Sequence, residues 1–241
     1  MDRYIRNILV SDFGQEGQEK LNNSKVLVVG AGGLGSPVLY YLASSGIGTL
    51  GIVDYDKVEI TNLQRQIIHY TPDLGKNKID SAKEKIFLLN PDVQCIIYNV
   101  KLSEDNALDI IKEYDFIVDC SDSYDTKYLI NDICVKANKP YSHGSALSMQ
   151  GEAMTYVPGN TCYRCVFDMP PEPDNDRVLL PDQAGVLGPI TGIIGSIQAA
   201  ETIKYITGLG EMLVNRILIF DGKNMNFTLL KVKKESHCIC R

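Results

Sequence analysis

The chain has 241 residues, is 44% hydrophobic and 22% charged, and carries 24 Lys and Arg against 30 Asp and Glu, a net charge of −6. Such a composition excludes a mainly disordered, collagen-like or disulfide-dense small chain, and the length suffices to bury a core. The acidic balance argues against a nucleic-acid partner, because neutralising a phosphate backbone takes a surplus of cations.

Residues 1–24 read as a helical segment. They contain no apolar run ahead of a small-residue cleavage site, so no secretory leader is expected and the chain is read as cytoplasmic. Residues 25–30 form a short β-branched run that ends in glycines, as a buried parallel strand does. Over 34–45 the spacing is helical, with Leu34, Val38, Leu42 and Ser45 on one face. A second strand covers 50–54. A helix follows over 76–89, with Ile79, Ala82, Ile86 and Leu89 in one stripe. Residues 93–98 are a strand, 106–112 a helix, 115–120 another buried strand, 125–138 a helix, and 140–145 strand and loop. This alternation predicts a Rossmann-like, doubly wound, mainly parallel α/β sheet. The pattern then changes. Residues 151–157 and 216–232 read as strands with tight connections, hence an antiparallel C-terminal extension. Residues 168–185 are polar, carry four prolines and read as a mobile surface loop. Residues 186–208 are apolar but hold Pro189, Gln198, Glu201 and Lys204, so they read as a buried helix and no membrane association is expected.

Of the seven cysteines, Cys95, Cys120 and Cys134 lie in apolar surroundings and read as core residues. The other four form two close pairs, Cys162 with Cys165 and Cys238 with Cys240. In a reducing compartment close pairs suggest a metal rather than a disulfide. His69 and His143 are each alone, with no nucleophile in sequence reach, and are assigned no catalytic role.

Gly30, Gly32, Gly33 and Gly35 lie in a turn that follows a strand and opens a helix, the context a nucleotide-binding turn requires. Gly30 permits the tight turn, Gly32 lets the backbone approach a phosphate, and Gly35 lets helix and strand pack closely. The helix N-terminus offers N–H groups and a positive dipole end to phosphate oxygens. Asp54 closes the next strand, where its carboxylate can accept hydrogen bonds from a ribose. These parts alone do not separate NAD from ATP.

The following segment does. It runs Asp54-Tyr55-Asp56, then Thr61-Asn62-Leu63-Gln64-Arg65-Gln66, with Lys78 at the head of a helix and Cys120-Ser121-Asp122 after a strand. Together with Arg3-Tyr4-Ile5-Arg6, the glycine turn, Cys162-Tyr163-Arg164-Cys165 and Ala184-Gly185-Val186-Leu187-Gly188-Pro189, these motifs resemble the ThiF/MoeB/HesA family, bacterial relatives of ubiquitin-activating enzymes. The resemblance runs from Arg3 to about Lys234. An NAD-dependent oxidoreductase would leave residues 61–66, Lys78 and Arg6 without a purpose.

The resemblance implies a single adenylation domain over 1–241, with a nucleotide-binding half at 25–150 and a carrier-binding half at 151–241 that contains the crossover loop 168–185. It implies ATP-dependent adenylation of the C-terminal glycine of a small ubiquitin-like sulfur carrier with a Gly-Gly end, in a homodimer, with release of pyrophosphate. Two anions must meet and a third depart, so cations are needed at the phosphates. Arg65 and Lys78 are the local candidates, and Arg6 would reach the γ-phosphate across the dimer interface. Asp122 would bind Mg²⁺, a hard cation usually shared with substrate phosphates, and could also cap the following helix. Asn62 would hold a phosphate or the attacking carboxylate. No general base is needed, since a carboxylate is already ionised. Gly30, Gly32, Gly33, Gly35, Asp54 and Asp56 complete the implied nucleotide site. Gln64 and Gln66 are read as turn residues.

Two departures from the family pattern stand out. The second cysteine pair is Cys238-Ile239-Cys240 with His237 before it, so zinc could be held by four Cys, namely Cys162, Cys165, Cys238 and Cys240, or by three Cys and His237. Thiamine-type members also carry a loop cysteine where this chain has Pro181. Adenylation without a covalent carrier–enzyme intermediate at that position is therefore expected, with sulfur from a separate persulfide donor. Phe220-Asp221-Gly222-Lys223 and the Pro-Glu-Pro stretch at 171–173 nevertheless lean the reading slightly to a thiamine-type carrier. The alternatives are a molybdopterin-synthase carrier, another carrier or peptide substrate, or an inactive nucleotide-binding paralogue.

Overall fold

In the computed structural model, residues 3–168 and 185–241 are described. The loop read at 168–185, Pro181 included, lies outside them except for its two ends. Two short helices, α1 (Ile5–Ile8) and α2 (Gly14–Asn23), precede β1 (Lys25–Val29), α3 (Gly35–Ser45) and β2 (Thr49–Val53). Then come α4 (Lys78–Leu89), β3 (Gln94–Tyr98), α5 (Glu104–Ile111), β4 (Phe116–Asp119) and α6 (Tyr124–Lys136). The last part holds β5 (Tyr141–Leu147), β6 (Gln150–Tyr156), α7 (Gly188–Thr207), β7 (Arg216–Asp221) and β8 (Asn226–Lys231).

All eight strands form one sheet in the order β3-β2-β1-β4-β5-β6-β7-β8. The strands from β3 to β5 are parallel, and β5 to β8 are antiparallel. Both the doubly wound half and the antiparallel extension expected from the sequence are present. β1 shows why the parallel half is sandwiched. Its side chains alternate between faces, so Val26 and Val28 enter one core while Leu27 and Val29 enter the other. The first core is closed by α2, α3, α4 and α7 through Leu21, Leu42, Ile86 and Ile194; the second by α5 and α6 through Ile111 and Ile130. Leu42 is wholly buried, and truncating such a residue to Ala costs about 2–5 kcal/mol.

Local chemistry sets where the helices begin. α4 starts at Lys78, two residues later than expected, because Asn77 pairs with Lys57 in an isolated bridge. α5 starts early, at Glu104, where the Asn106 side-chain oxygen accepts from the Ser103 N–H at 2.9 Å. α6 is capped by Ser123, whose Oγ accepts from the Thr126 N–H at 3.1 Å. The capping considered for Asp122 therefore belongs to its neighbour. The tightly connected strands expected over 216–232 are the hairpin β7–β8. Its turn is closed by Asp221, which accepts from the Lys223 N–H at 3.0 Å and from the Asn224 side chain at 2.8 Å. Cys120 and Cys134 are buried, and burial pushes both thiols well up. Among the described residues no helix is long and apolar enough to cross a membrane.

Candidate active site

Chain order reverses across the sheet between β1 and β4: β2 and β3 lie to one side, β5 to the other. At such a switch point the loops leaving the strand tips diverge and leave a crevice. A cleft of about 550 Å³ opens there, lined from the tips of β1, β2, β4 and β5.

The glycine turn forms one wall. Gly30 has φ +98°, and a Cβ there would lie 2.7 Å from the Cys120 carbonyl oxygen. A Cβ on Gly35, at the head of α3, would fall 2.0 Å from the Gly30 carbonyl oxygen. Gly30, Gly32 and Gly33 line the cleft, whereas Gly35 stands behind it and allows turn and helix to touch. His69 braces the turn, its Nε2 2.9 Å from the Ala31 carbonyl and its Nδ1 2.9 Å from Ser81 Oγ. Burial lowers the pKa of this imidazole; the neutral ring satisfies both contacts by donating to the carbonyl at Nε2 and accepting at Nδ1. Both ring nitrogens of His69 are thereby occupied within the fold.

Asp54 extends from the tip of β2. Its carboxylate accepts from the Ala31 N–H at 2.8 Å and from the Asp56 N–H at 2.9 Å. Burial raises its pKa against the opposing pull of Lys78 and those two N–H groups. Each oxygen keeps a second lone pair for a ligand hydroxyl. Lys78, the first residue of α4, is buried and sits 2.7 Å from Asp56 Oδ2. Arg65 donates to the Thr61 carbonyl at 3.2 Å. Both cations line the cleft, as does Asp122, which is exposed and has no hydrogen bond or ion pair to another described residue.

Two candidates stand apart. Asn62 does not line the cleft, because its side-chain oxygen accepts from the Glu59 N–H at 3.1 Å and closes the turn that carries Arg65. Arg6 is exposed on α1, which docks by the C-terminal ends of α3 and α4: Asn90 Nδ2 donates to Tyr4 Oη at 2.9 Å, and Asn7 to the Ser45 carbonyl at 3.4 Å. At a rise of about 1.5 Å per residue, the 11 residues of α3 separate this dock from the glycine turn by about 16 Å. The chain's own cleft is therefore beyond the reach of Arg6.

Sequence reading missed the floor beneath Asp122. Asp119 Oδ2 lies 2.9 Å from His143 Nδ1 and 3.6 Å from Lys127 Nζ, and Gln198 donates to the Asp119 carbonyl at 2.7 Å. Burial alone would raise Asp119, but Lys127, His143 and Ser121 more than offset it and hold the carboxyl at about 2. A lysine and an asparagine on the inward face of α6, at Lys127 and Asn131, were the available signal.

Away from the cleft, the sulfurs of Cys162, Cys165, Cys238 and Cys240 all lie within 4.8 Å of one another. Cys162 Sγ is 3.3 Å from Cys238 Sγ, and Cys165 Sγ is 3.5 Å from Cys240 Sγ. Four thiolates about 2.3 Å from a tetrahedral zinc would stand about 3.8 Å apart, so this cluster fits the ion. His237 is exposed and outside the group, which favours the four-cysteine set over the mixed one.

The ThiF family matches residues 4–241. The chain belongs to the ThiF family. It is 46% identical over 238 residues to "Adenylyltransferase and sulfurtransferase MOCS3" of Aedes aegypti, covering 98% of this chain and 54% of that protein. The same-named protein of Drosophila virilis is 46% identical over 239 residues, with 98% and 52% covered. The chain thus spans about half the length of the curated relatives it matches. Among solved structures, E. coli MccB with ATP superposes with a TM-score of 0.88 at 28% identity, covering 99% of this chain and 74% of that one. MccB with MccA-N7isoASN gives 0.89 at 27%, with the same coverage. PaaA gives 0.80 at 28%, covering 96% and 73%. The fold is that of ThiF-type adenylyltransferases, as the motifs implied. The lean towards the thiamine branch finds no support in these relatives. Part of it rested on residues 220–223, which β7–β8 hairpin closure accounts for.

Proposed function

We propose that this chain adenylates the C-terminal carboxylate of a small ubiquitin-like sulfur carrier ending in Gly-Gly, of the molybdopterin rather than the thiamine type. The relatives named adenylyltransferase and sulfurtransferase MOCS3 and Pro181 in place of a loop cysteine support that choice of carrier. The observation that carries the reaction class is the convergence of the glycine turn, Arg65, Lys78 and Asp122 on one cleft. The domain comprises the whole chain, works as a homodimer in the cytoplasm, and receives sulfur from a separate persulfide donor.

In this reading the triphosphate lies along the glycine turn at the N-terminus of α3, and Asp54 accepts from the ribose hydroxyls. Lys78 exchanges Asp56 for a phosphate oxygen, and Arg65 presents its planar fork to another. Asn62 acts one step back from the ligand, keeping Arg65 in place through the turn that it closes. A carboxylate oxygen of the carrier bonds to the α-phosphorus as the bond to the bridging oxygen breaks, giving an acyl-adenylate and pyrophosphate. The cations stabilise negative charge that develops only as the groups meet. Asp122, a cleft carboxylate without a partner among the described residues, suits Mg²⁺, which when bound would neutralise phosphate charge. Arg6 acts in the partner's cleft. Zinc on Cys162, Cys165, Cys238 and Cys240 would tie the C-terminal segment to the turn after β6.

The test is ATP–pyrophosphate exchange with purified Gly-Gly carriers of both types. The molybdopterin-type carrier is expected to stimulate exchange most. ATP binding with no exchange under any carrier would identify an inactive paralogue, and a preference for the thiamine-type carrier would restore the other branch.

A further inference from the structure

We propose that Lys127 is a positioning residue that sets where Asp122 points, an inference that rests on the adenylation reading above. Asp122 makes no hydrogen bond or ion pair with another described residue, so its direction is inherited from the peptide before it. Ser121, which contributes the carbonyl of that peptide, is clamped on both sides. The Ser121 N–H and Oγ donate to Asp119 Oδ1 at 3.1 and 2.6 Å. The Ser121 carbonyl accepts from Lys127 Nζ at 2.7 Å. Lys127 also donates to the Gly144 carbonyl at 2.9 Å, which ties the clamp to β5. Its third hydrogen is left to face Asp119 Oδ2 at 3.6 Å.

The choice of residue is costly. Lys127 is 4% exposed and stands in the first turns of α6, where the helix dipole repels a cation. A buried ion pair is weak evidence of stabilisation, because an apolar residue of similar volume often serves as well. An apolar residue could not donate to two carbonyls that diverge from one point. The three donors of an ammonium can, and Asp119 supplies the compensating charge. The clamp therefore fixes the carboxylate that faces the phosphates without touching it. Partners of this kind, one shell removed from a cation ligand, are typically worth about 10–100-fold in metal affinity or activity.

The experiment measures ATP binding by titration calorimetry with Mg²⁺ present and withheld, for the wild type, Lys127→Met and Lys127→Arg. Melting curves and zinc content verify each fold. The Met variant is expected to lose about tenfold or more ATP affinity with Mg²⁺ present beyond whatever it loses with Mg²⁺ withheld. Arg, which can donate to both carbonyls, is expected to restore most of it. Equal weakening with and without Mg²⁺ would mean that Lys127 holds ATP or the cleft as a whole, and unchanged binding would mean that the clamp is idle; either overturns the proposal. If Lys127→Met does not fold, Lys127→Gln, with a single donor group and no charge, enters the same comparison under the same criteria. A wild type that binds no ATP would instead sink the adenylation reading.

Discussion

Gly35→Ala tests how tightly the turn and the helix behind it are held. A Cβ at this position would lie 2.0 Å from the Gly30 carbonyl oxygen, a backbone atom. Real Cβ atoms essentially never approach within 3.0 Å, so turn and helix must part by at least 3.0 − 2.0 = 1.0 Å. No rotamer change relieves it. Overpacking of this kind costs about 1–3 kcal/mol, and in a chain of this size each kcal/mol lowers Tm by about 2–4 °C. The displaced turn is the one proposed to hold the phosphates, and a misplacement of about 1 Å can cost about 100-fold. Calorimetry is expected to show ATP affinity down by about that factor, and scanning fluorimetry a Tm drop of about 2–12 °C. Gly192→Ala on α7 is the control. Among the described residues nothing lies within 4 Å of a Cβ placed there, and Ala is about 1 kcal/mol better than Gly inside a helix, so its Tm should rise by about 2–4 °C with ATP affinity unchanged. Wild-type ATP affinity and Tm in Gly35→Ala would refute the idea that the turn is pinned by backbone contact.

The cysteine cluster should carry one zinc per chain by native mass spectrometry; Cys238→Ser should lose it, and His237→Ala should keep it. Arg6→Ala and Asp122→Ala should each lose pyrophosphate exchange, while mixed dimers of the two should recover part of it, since α1 lies too far from its own cleft; no recovery would place Arg6 outside the reaction. Asp119 is held at about 2 against an ordinary value of about 3.9 unfolded. A depressed carboxyl stabilises above the unfolded value, and that stability is lost as pH falls from about 4 to about 2, by about 2 kcal/mol. Urea titrations should show this loss in the wild type and a flatter profile in Asp119→Asn.

What the sequence disclosed and what it hid follow from range. β1, β2 and β4 were legible because fully buried parallel strands are continuous apolar runs, as at 25–30 and 115–120. The glycine turn, Arg65, Lys78 and Asp122 were legible because each lies in a short motif whose context was also visible. Nothing in the motif signalled that Asn62 spends its side-chain oxygen on the Glu59 N–H, since one residue type serves both turn closure and ligand binding. Asp119, Lys127, His143 and Gln198 come from β4, α6, β5 and α7, and nothing local marks a polar network that assembles only when four elements meet. Cys238 and His237 competed as ligands on spacing alone; the turn of the C-terminal segment brings Cys238 to the other three sulfurs and leaves His237 exposed.

The described cleft lining holds four carboxylates, Asp54, Asp56, Asp122 and Asp125, and four cations, Arg65, Lys78, Lys101 and Lys127. A balanced set of charges projects little field into the surrounding water, so stray anions such as chloride or sulfate are not drawn in from a distance. Capture then relies on short-range fit instead of long-range pull. Raising ionic strength should therefore slow nucleotide association only slightly.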